Sequence, residues 1–307
     1  MRAAAVLSLL LVACGAARGS DEPTPASTET AGTEAPLPEG AYRVLLSRPS
    51  QPGDTFRERS AHRRTRAQQV TVEGVVVEQT TEVVEVELVA TLRVRAASSR
   101  GEPTEVDYSV ERCVVRDEGG ERDVVPSGSA LRVARVPLGE RDGRIALVGG
   151  ALSEETLELL EMVISTHYSP AGNDPIFGSA QPRRVGDQWP IDAAAAARDI
   201  GKIPSIAVGE GHVGGWTRVE ESGEVDGVPC LLIRSELRAT DVELTGLPAG
   251  ATTELATLDV ALAGAFPLDL RMGRLRSVEE VEMNVRMRLA RPDGTTALLE
   301  IDRKSTR

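Results

Sequence analysis

Two long stretches of strict alternation constrain this chain more than any other feature. Across residues 84–94 the even positions are Val84, Val86, Leu88, Ala90, Leu92 and Val94, while Glu85, Glu87, Thr91 and Arg93 fall between them. Across residues 281–289 the odd positions are Val281, Met283, Val285, Met287 and Leu289, interleaved with Glu282, Asn284, Arg286 and Arg288. Successive strand residues point to opposite faces, so each segment has one apolar and one charged face. Such strands need a half-buried antiparallel sheet, with one face on a core and the other in water. Ala256, Leu258, Val260 and Leu262 repeat the pattern, and Tyr42, Val44 and Leu46 suggest a further strand. Turn signals separate the runs: Asp117-Glu118-Gly119-Gly120, Glu224-Val225-Asp226-Gly227 and Arg291-Pro292-Asp293-Gly294.

One helix stands out between the strand-rich halves. Ser153 can cap it, Glu154 and Glu155 suit the positive end of its dipole, and Leu157, Leu160, Val163 and Ile164 mark its apolar face. Asp192 can cap a shorter Ala-rich helix that Gly201 and Pro204 stop. The expected fold is α+β and mostly β: a large curved antiparallel sheet, a half-barrel, packed on one main helix. Val84, Leu88, Leu92, Val281, Val285 and Leu289 are the expected apolar concave face. Two outcomes stay open there: the helix fills that face as ordinary core, or the face holds acyl chains.

Residues 55–69 are polar and basic, with Arg57, Arg59, Arg63, Arg64 and Arg66. One reading is an anion-facing strand. The expected one is a solvated edge strand whose arginines pair with carboxylates and discourage edge-to-edge association.

The chain opens on a different signal. Arg2 precedes an apolar run over residues 3–13, interrupted only by Ser8 and too short to span a bilayer. It ends in Leu11-Val12-Ala13-Cys14, which resembles the bacterial lipobox. The resemblance implies lipidation of the Cys14 thiol, cleavage before Cys14 and acylation of the new amine. Three acyl chains make a stable anchor. Gly15, in place of the Asp that retains such proteins at the inner membrane, favours the outer membrane. Residues 15–40 are rich in Ala, Thr, Glu, Pro and Gly without apolar periodicity, and read as a flexible linker. The expected organisation is a signal peptide over 1–13, a lipid-anchored linker over 14–40 and a β-rich envelope domain over 41–307.

A net charge of −12 argues against nucleic acid as a partner, and 3% aromatic residues supply few stacking platforms. Besides Cys14 there are only Cys113 and Cys230. An oxidising envelope permits a disulfide between them; the alternative is two buried thiols. His62, His167 and His212 lack partners at metal-ligand spacing, so no metal or cofactor is expected. No Gly-x-Ser-x-Gly elbow occurs, and Gly209-Glu210-Gly211-His212-Val213-Gly214-Gly215 lacks the Lys-Ser or Lys-Thr of a phosphate loop. It reads as a tight turn or bulge. No enzymatic role is expected.

Pro182-Arg183-Arg184-Val185-Gly186-Asp187-Gln188-Trp189 resembles a Pro-x-x-Val-Gly-Asp-x-Trp stretch in a group of uncharacterised bacterial lipoproteins. That group is similar to the lipoprotein-carrier and lipid-binding folds of the envelope. The resemblance implies a curved sheet wrapped around helices and brings no catalytic residues. Physically, Gly186 permits a turn, Asp187 bonds local amides and Trp189 supplies an apolar anchor, so the motif reads as a structural clasp. The expected role is that of an anchored envelope lipoprotein binding a partner protein or a lipid-like ligand. The alternatives are an assembly lipoprotein with a filled core, or a hydrolase with an unrecognised site.

Overall fold

The computed structural model describes residues 37–140, 143–168, 172–247, 249–291 and 294–307. Cys14, the signal segment and residues 15–36 of the linker lie outside the described residues, as does the Pro292-Asp293 pair of the last turn.

The alternating segments form a 12-stranded sheet. Its strands are β1 (Thr55–Val72), β2 (Val75–Ala97), β3 (Pro103–Asp117), β4 (Gly120–Asp123), β5 (Ala130–Ala134) and β6 (Arg144–Leu147) in the first half. The second half supplies β7 (Gln188–Pro190), β8 (Val213–Val225), β9 (Val228–Ala239), β10 (Ala251–Pro267), β11 (Arg276–Ala290) and β12 (Thr296–Thr306). The spatial order is β7-β8-β9-β10-β11-β12-β1-β2-β3-β5-β6, with β4 on β3. Two antiparallel meanders are therefore joined by one non-local pairing, β12 against β1, with Arg303 opposite Arg66 and Ile301 opposite Gln68. With 58% of the described residues in strands and 10% in helices, the fold is α+β and mostly β, with an open curved sheet.

β1 is thus not an edge strand. It is flanked on both sides, by β12 and β2. The polar sequence that suggests an edge reflects two faces with different tasks. Arg57, Arg59 and Arg63 sit on the outer face, whereas Arg64 and Arg66 share the inner face with the buried Ser60 and His62. The outer arginines do pair: Arg57 with Glu111 at 2.7 Å, and Arg59 with the buried Glu87 at 3.0 Å. Arg112 also reaches Glu87, at 3.2 Å, so that its carboxylate is offset by more than one cation.

The inner face carries two main cores and a smaller third cluster. The helix α1 (Glu154–Val163) is capped by the Ser153 hydroxyl, which accepts from the Thr156 amide at 3.1 Å. Its Leu160, Met162 and Val163, with Ile164 just beyond, pack on Val84, Val86, Leu88 and Leu92 of β2. A β-bulge in β3, where Arg112 and Val110 face Val89 and Ala90, returns Cys113 and Val115 to this core. In the other half, α2 (Asp174–Phe177) and α3 (Ala193–Ile200) cover Val260, Val281, Met283 and Val285. Asp192 caps α3 by accepting from the Ala195 amide at 2.8 Å. The sheet is therefore covered by the longest helix, α1, over one half and by the shorter α2 and α3 over the other.

No basic residue stands in the last turn of α1. Its carbonyl end is met from the sheet instead: the Arg307 guanidinium donates to the Val163 carbonyl at 2.7 Å, and the His62 ring donates to that of Met162. Cations at a helix C-terminus satisfy free carbonyls and oppose the dipole. Tyr42 pairs only briefly, with Arg183, and Val44 leaves the strand to enter a third cluster with Trp189, Val219, Leu231, Ile233 and Phe266.

The proposed Cys113–Cys230 bridge does not form; both thiols are buried and free. Cys113 is on β3 and Cys230 on β9, six strand intervals apart along the sheet. At about 4.8 Å per interval the path between them is roughly 29 Å, far beyond disulfide reach.

Candidate functional site

Directly opposed residues of an antiparallel pair share a face, so the registers trace the inner surface of the central strands. On β1 it runs Ser60, His62, Arg64, Arg66, Gln68, Val70 and Val72. Opposite these on β12 stand Ser305 (Arg64), Arg303 (Arg66), Ile301 (Gln68), Leu299 (Val70) and Ala297 (Val72). The cover from α1 stops near His62 and Val84. Ser60 and His62 are buried, but from Arg64 to Val72 β1 is only half-buried, and β2 is exposed from Val75 to Glu82.

Two chemistries occupy this partly uncovered strip. At the helix-proximal end are three guanidinium groups. Arg66 faces Arg303 directly, and Arg64 lies two residues along the same face. Like charges opposite one another are destabilising unless compensated. Glu82, directly opposite Arg66 on β2, approaches Arg64 at 3.6 Å, and Arg66 makes a long 3.4 Å contact to Gln68. The Nε of Arg303 is buried without a hydrogen-bond partner. Burial, then the charges of Arg64 and Arg66, push the Arg303 pKa down to about 10, which leaves it cationic at neutral pH. Beyond this cluster, toward the β1–β2 turn, the same face becomes apolar on β1, β12 and β11, while Glu78 of β2 stands opposite Val70. Val70, Val72 and Leu299 are half-buried beside the buried Ala297, and Leu289 faces Ala297 from β11.

The six residues expected to line a concave face are not one surface. Val84, Leu88 and Leu92 are sealed beneath α1. Val281 and Val285 belong to the core under α2 and α3. Only Leu289 is half-buried and adjoins the uncovered strip. Arg64, Arg66 and Arg303 were reachable from the sequence only through parity. Arg63 and Arg64 are adjacent and so must face opposite ways, and Arg64 and Arg66 share the parity of Val70 and Val72.

Other candidates are accounted for locally. A shallow depression of about 480 Å³ lies beside α2, lined by Val44, Ile176, Ala180 and Ile191 among others. Its carboxylates are already engaged: Asp174 accepts from the Leu46 and Ser47 amides, and Asp192 caps α3. His167 bonds the Glu140 carbonyl through Nε2 at 3.0 Å and the Thr166 hydroxyl through Nδ1 at 3.1 Å. His212 is exposed and pairs with Asp241 at 3.0 Å. Burial pushes the Cys113 thiol up to about 12 and also raises that of Cys230, so neither is a ready nucleophile. Among the described residues no group of three or more His, Cys, Asp or Glu is placed to hold a metal, and no helix is long and apolar enough to cross a membrane.

The glycine-rich stretch and the Pro182–Trp189 motif both serve the backbone. Gly215 has φ +156, and a Cβ there would collide with the Glu236 carbonyl on the paired strand. In the Pro182–Trp189 stretch, Gly186 turns at φ +90 and the Asp187 carboxylate accepts from the Arg184 amide at 2.8 Å. Trp189 is buried, and its indole N–H is shared between the carbonyls of Phe177 (3.1 Å) and Gly178 (3.0 Å) at the end of α2. Arg183 stacks over the ring at 4.8 Å. The motif clasps α2 to β7.

No protein-family model matches the chain, and no curated protein is significantly similar to it. Among solved structures, a lipovitellin described for its lipid–protein interactions aligns with 84% of this chain at 7% identity and TM-score 0.31. This chain spans about a quarter of that one (26%). A DUF1329 family protein from Desulfovibrio piger aligns over 80% of this chain and 83% of its own, at 10% identity and TM-score 0.18. DynF, from the dynemicin biosynthesis pathway of Micromonospora chersina, aligns over 89% and 92% at 10% identity and TM-score 0.16. All three are loose likenesses.

Proposed function

We propose that this is a non-catalytic, lipid-anchored envelope protein that binds an apolar or amphipathic small ligand on the inner face of its central strands. The observation that carries the reading is the strip formed by Val70, Val72, Leu299 and Leu289. It is apolar, continuous across three neighbouring strands, half-open beyond the cover of α1, and joined through Leu299 to the core under α2 and α3. Val70 and Val72 span about 7 Å of the strand and the three strands about 10 Å across, an apolar footprint for part of an extended chain, and the half-open face continues through Gln68 to Arg66, about 20 Å in all. Ligand sites of this kind pair an apolar lining with a few fixed polar groups. The anchor rests on Leu11-Val12-Ala13-Cys14, and the outer membrane on Gly15.

Native mass spectrometry of the full chain carrying Cys14→Ala, which cannot be acylated at that thiol, tests the ligand. The expected result is a population carrying extra mass that dissociates as a lipid-like species. A homogeneous, ligand-free protein that also takes up no added lipid would refute it. Separately, replacing Cys14 should move the protein from the membrane to the soluble fraction. Retention of the variant in the membrane would refute the anchor.

A further inference from the structure

The charge distribution on the inner face says more about the ligand than the apolar strip does. On the outer face the arginines meet carboxylates at short range: Arg57 with Glu111, Arg95 with Asp107, Arg116 with Glu85 and Glu121, Arg286 with Glu300. In a chain with 47 acidic against 35 basic residues, such pairing is readily met. On the inner strip the ratio is reversed. Arg64, Arg66 and Arg303 have Glu82 as the one ion-paired carboxylate among the described contacts, at 3.6 Å, and the Arg303 Nε is buried with no acceptor. Side chains directly opposed across strands start about 5 Å apart, and those two residues apart on one face about 7 Å. Three long guanidinium side chains on such a footprint can converge on one anion.

We infer that Arg64, Arg66 and Arg303 form the head-group site for an anionic lipid whose chain lies along Val70, Leu299 and Leu289. This rests on the ligand reading above and makes it specific. A phosphate or carboxylate head supplies the acceptor that Arg303 lacks and removes the repulsion between Arg66 and Arg303. Guanidinium groups suit that role because their planar forks bond such oxygens in pairs. The order of groups along β1, cationic at 64 and 66 and apolar at 70 and 72, matches the order of groups along the ligand.

Calorimetric titration of the full chain carrying Cys14→Ala tests this. The probes are dioctanoyl phosphatidylglycerol and dioctanoyl phosphatidylcholine, each kept below its micellar concentration, and inorganic phosphate. The expected result is binding of phosphatidylglycerol at least about tenfold tighter than of phosphatidylcholine, with phosphate alone far weaker than either. Arg66→Gln with Arg303→Gln should bring phosphatidylglycerol to the level of phosphatidylcholine while the circular dichroism spectrum is unchanged. If that pair fails to fold, the single substitution Arg64→Gln should narrow the preference several-fold. Val70→Asn should weaken both lipids by a similar factor and leave their ratio intact. Equal affinities in the parent chain, or a preference that survives the arginine substitutions, would overturn the head-group site while leaving the ligand reading standing. Phosphate binding as tightly as phosphatidylglycerol would overturn the lipid as its source. Binding of neither lipid would overturn both proposals.

Discussion

His62 provides a test of how the sheet holds α1. Its ring is 8% exposed, lies on the inner face of β1 and donates to the Met162 carbonyl, while its Nδ1 is buried without a partner. Burial first, and then the charges of Arg307, Arg64 and Arg303, hold its pKa down to about 4 from an ordinary 6.5. Protonation would place a second N–H where no acceptor stands and add a cation among three others. The unfolded chain therefore takes up a proton near pH 6.5, and the folded chain only near pH 4. The contribution of His62 to stability is complete above pH 6.5 and falls as the pH drops toward 4, below which it levels off. At about 1.36 kcal/mol for each pH unit, the loss across that window is roughly 3 kcal/mol. His62→Gln keeps a side-chain donor for Met162 and removes the titration. Urea unfolding of both proteins at several values between pH 7.5 and 4 isolates the residue, because carboxylate titrations cancel in the difference. The parent should lose roughly 3 kcal/mol more than the variant. Curves that stay parallel to within about 0.5 kcal/mol, a difference typical of a neutral surface change, would refute the reasoning.

Three further outcomes follow from the packing. Trp189→Phe retains most of the ring but leaves the Phe177 and Gly178 carbonyls without the indole donor; it should cost about 1–2 kcal/mol in chemical denaturation. Leu160→Ala, at a fully buried position under which β2 packs, should cost about 2–5 kcal/mol and raise amide exchange in α1 first. A non-reduced sample of the Cys14→Ala chain should react with a thiol reagent at Cys113 and Cys230 only after unfolding, giving two modifications by mass. Rapid labelling of the folded chain, or none after unfolding, would contradict two buried free thiols.

Much of the fold was legible because it is local. Alternation in β2 and β11 depends on residues a few positions apart, as do the caps at Ser153 and Asp192, and these elements stand where the sequence places them. What alternation does not encode is the neighbour. The pairing of β12 with β1 joins residues more than 200 positions apart, and it turns an apparently solvated basic segment into the middle of the sheet. The division of the inner face into two cores has the same origin: Leu88 and Val285 carry the same pattern, but which helix covers each depends on topology. The candidate site was partly visible. Arg64 and Arg66 stood out as basic residues in an acidic chain, but Arg303, in a run of mixed charge, acquires meaning only from its register opposite Arg66.

The central claim is that a lipid chain lies on the inner face of β1, β11 and β12. Photocrosslinking with a fatty acid carrying a diazirine near its methyl end, followed by peptide mapping, tests it most directly. The account predicts labelling concentrated in residues 68–72, 289 and 297–299 and suppressed by an excess of unmodified fatty acid. Labelling confined to the depression beside α2, or spread over the outer face and unaffected by competitor, would contradict it.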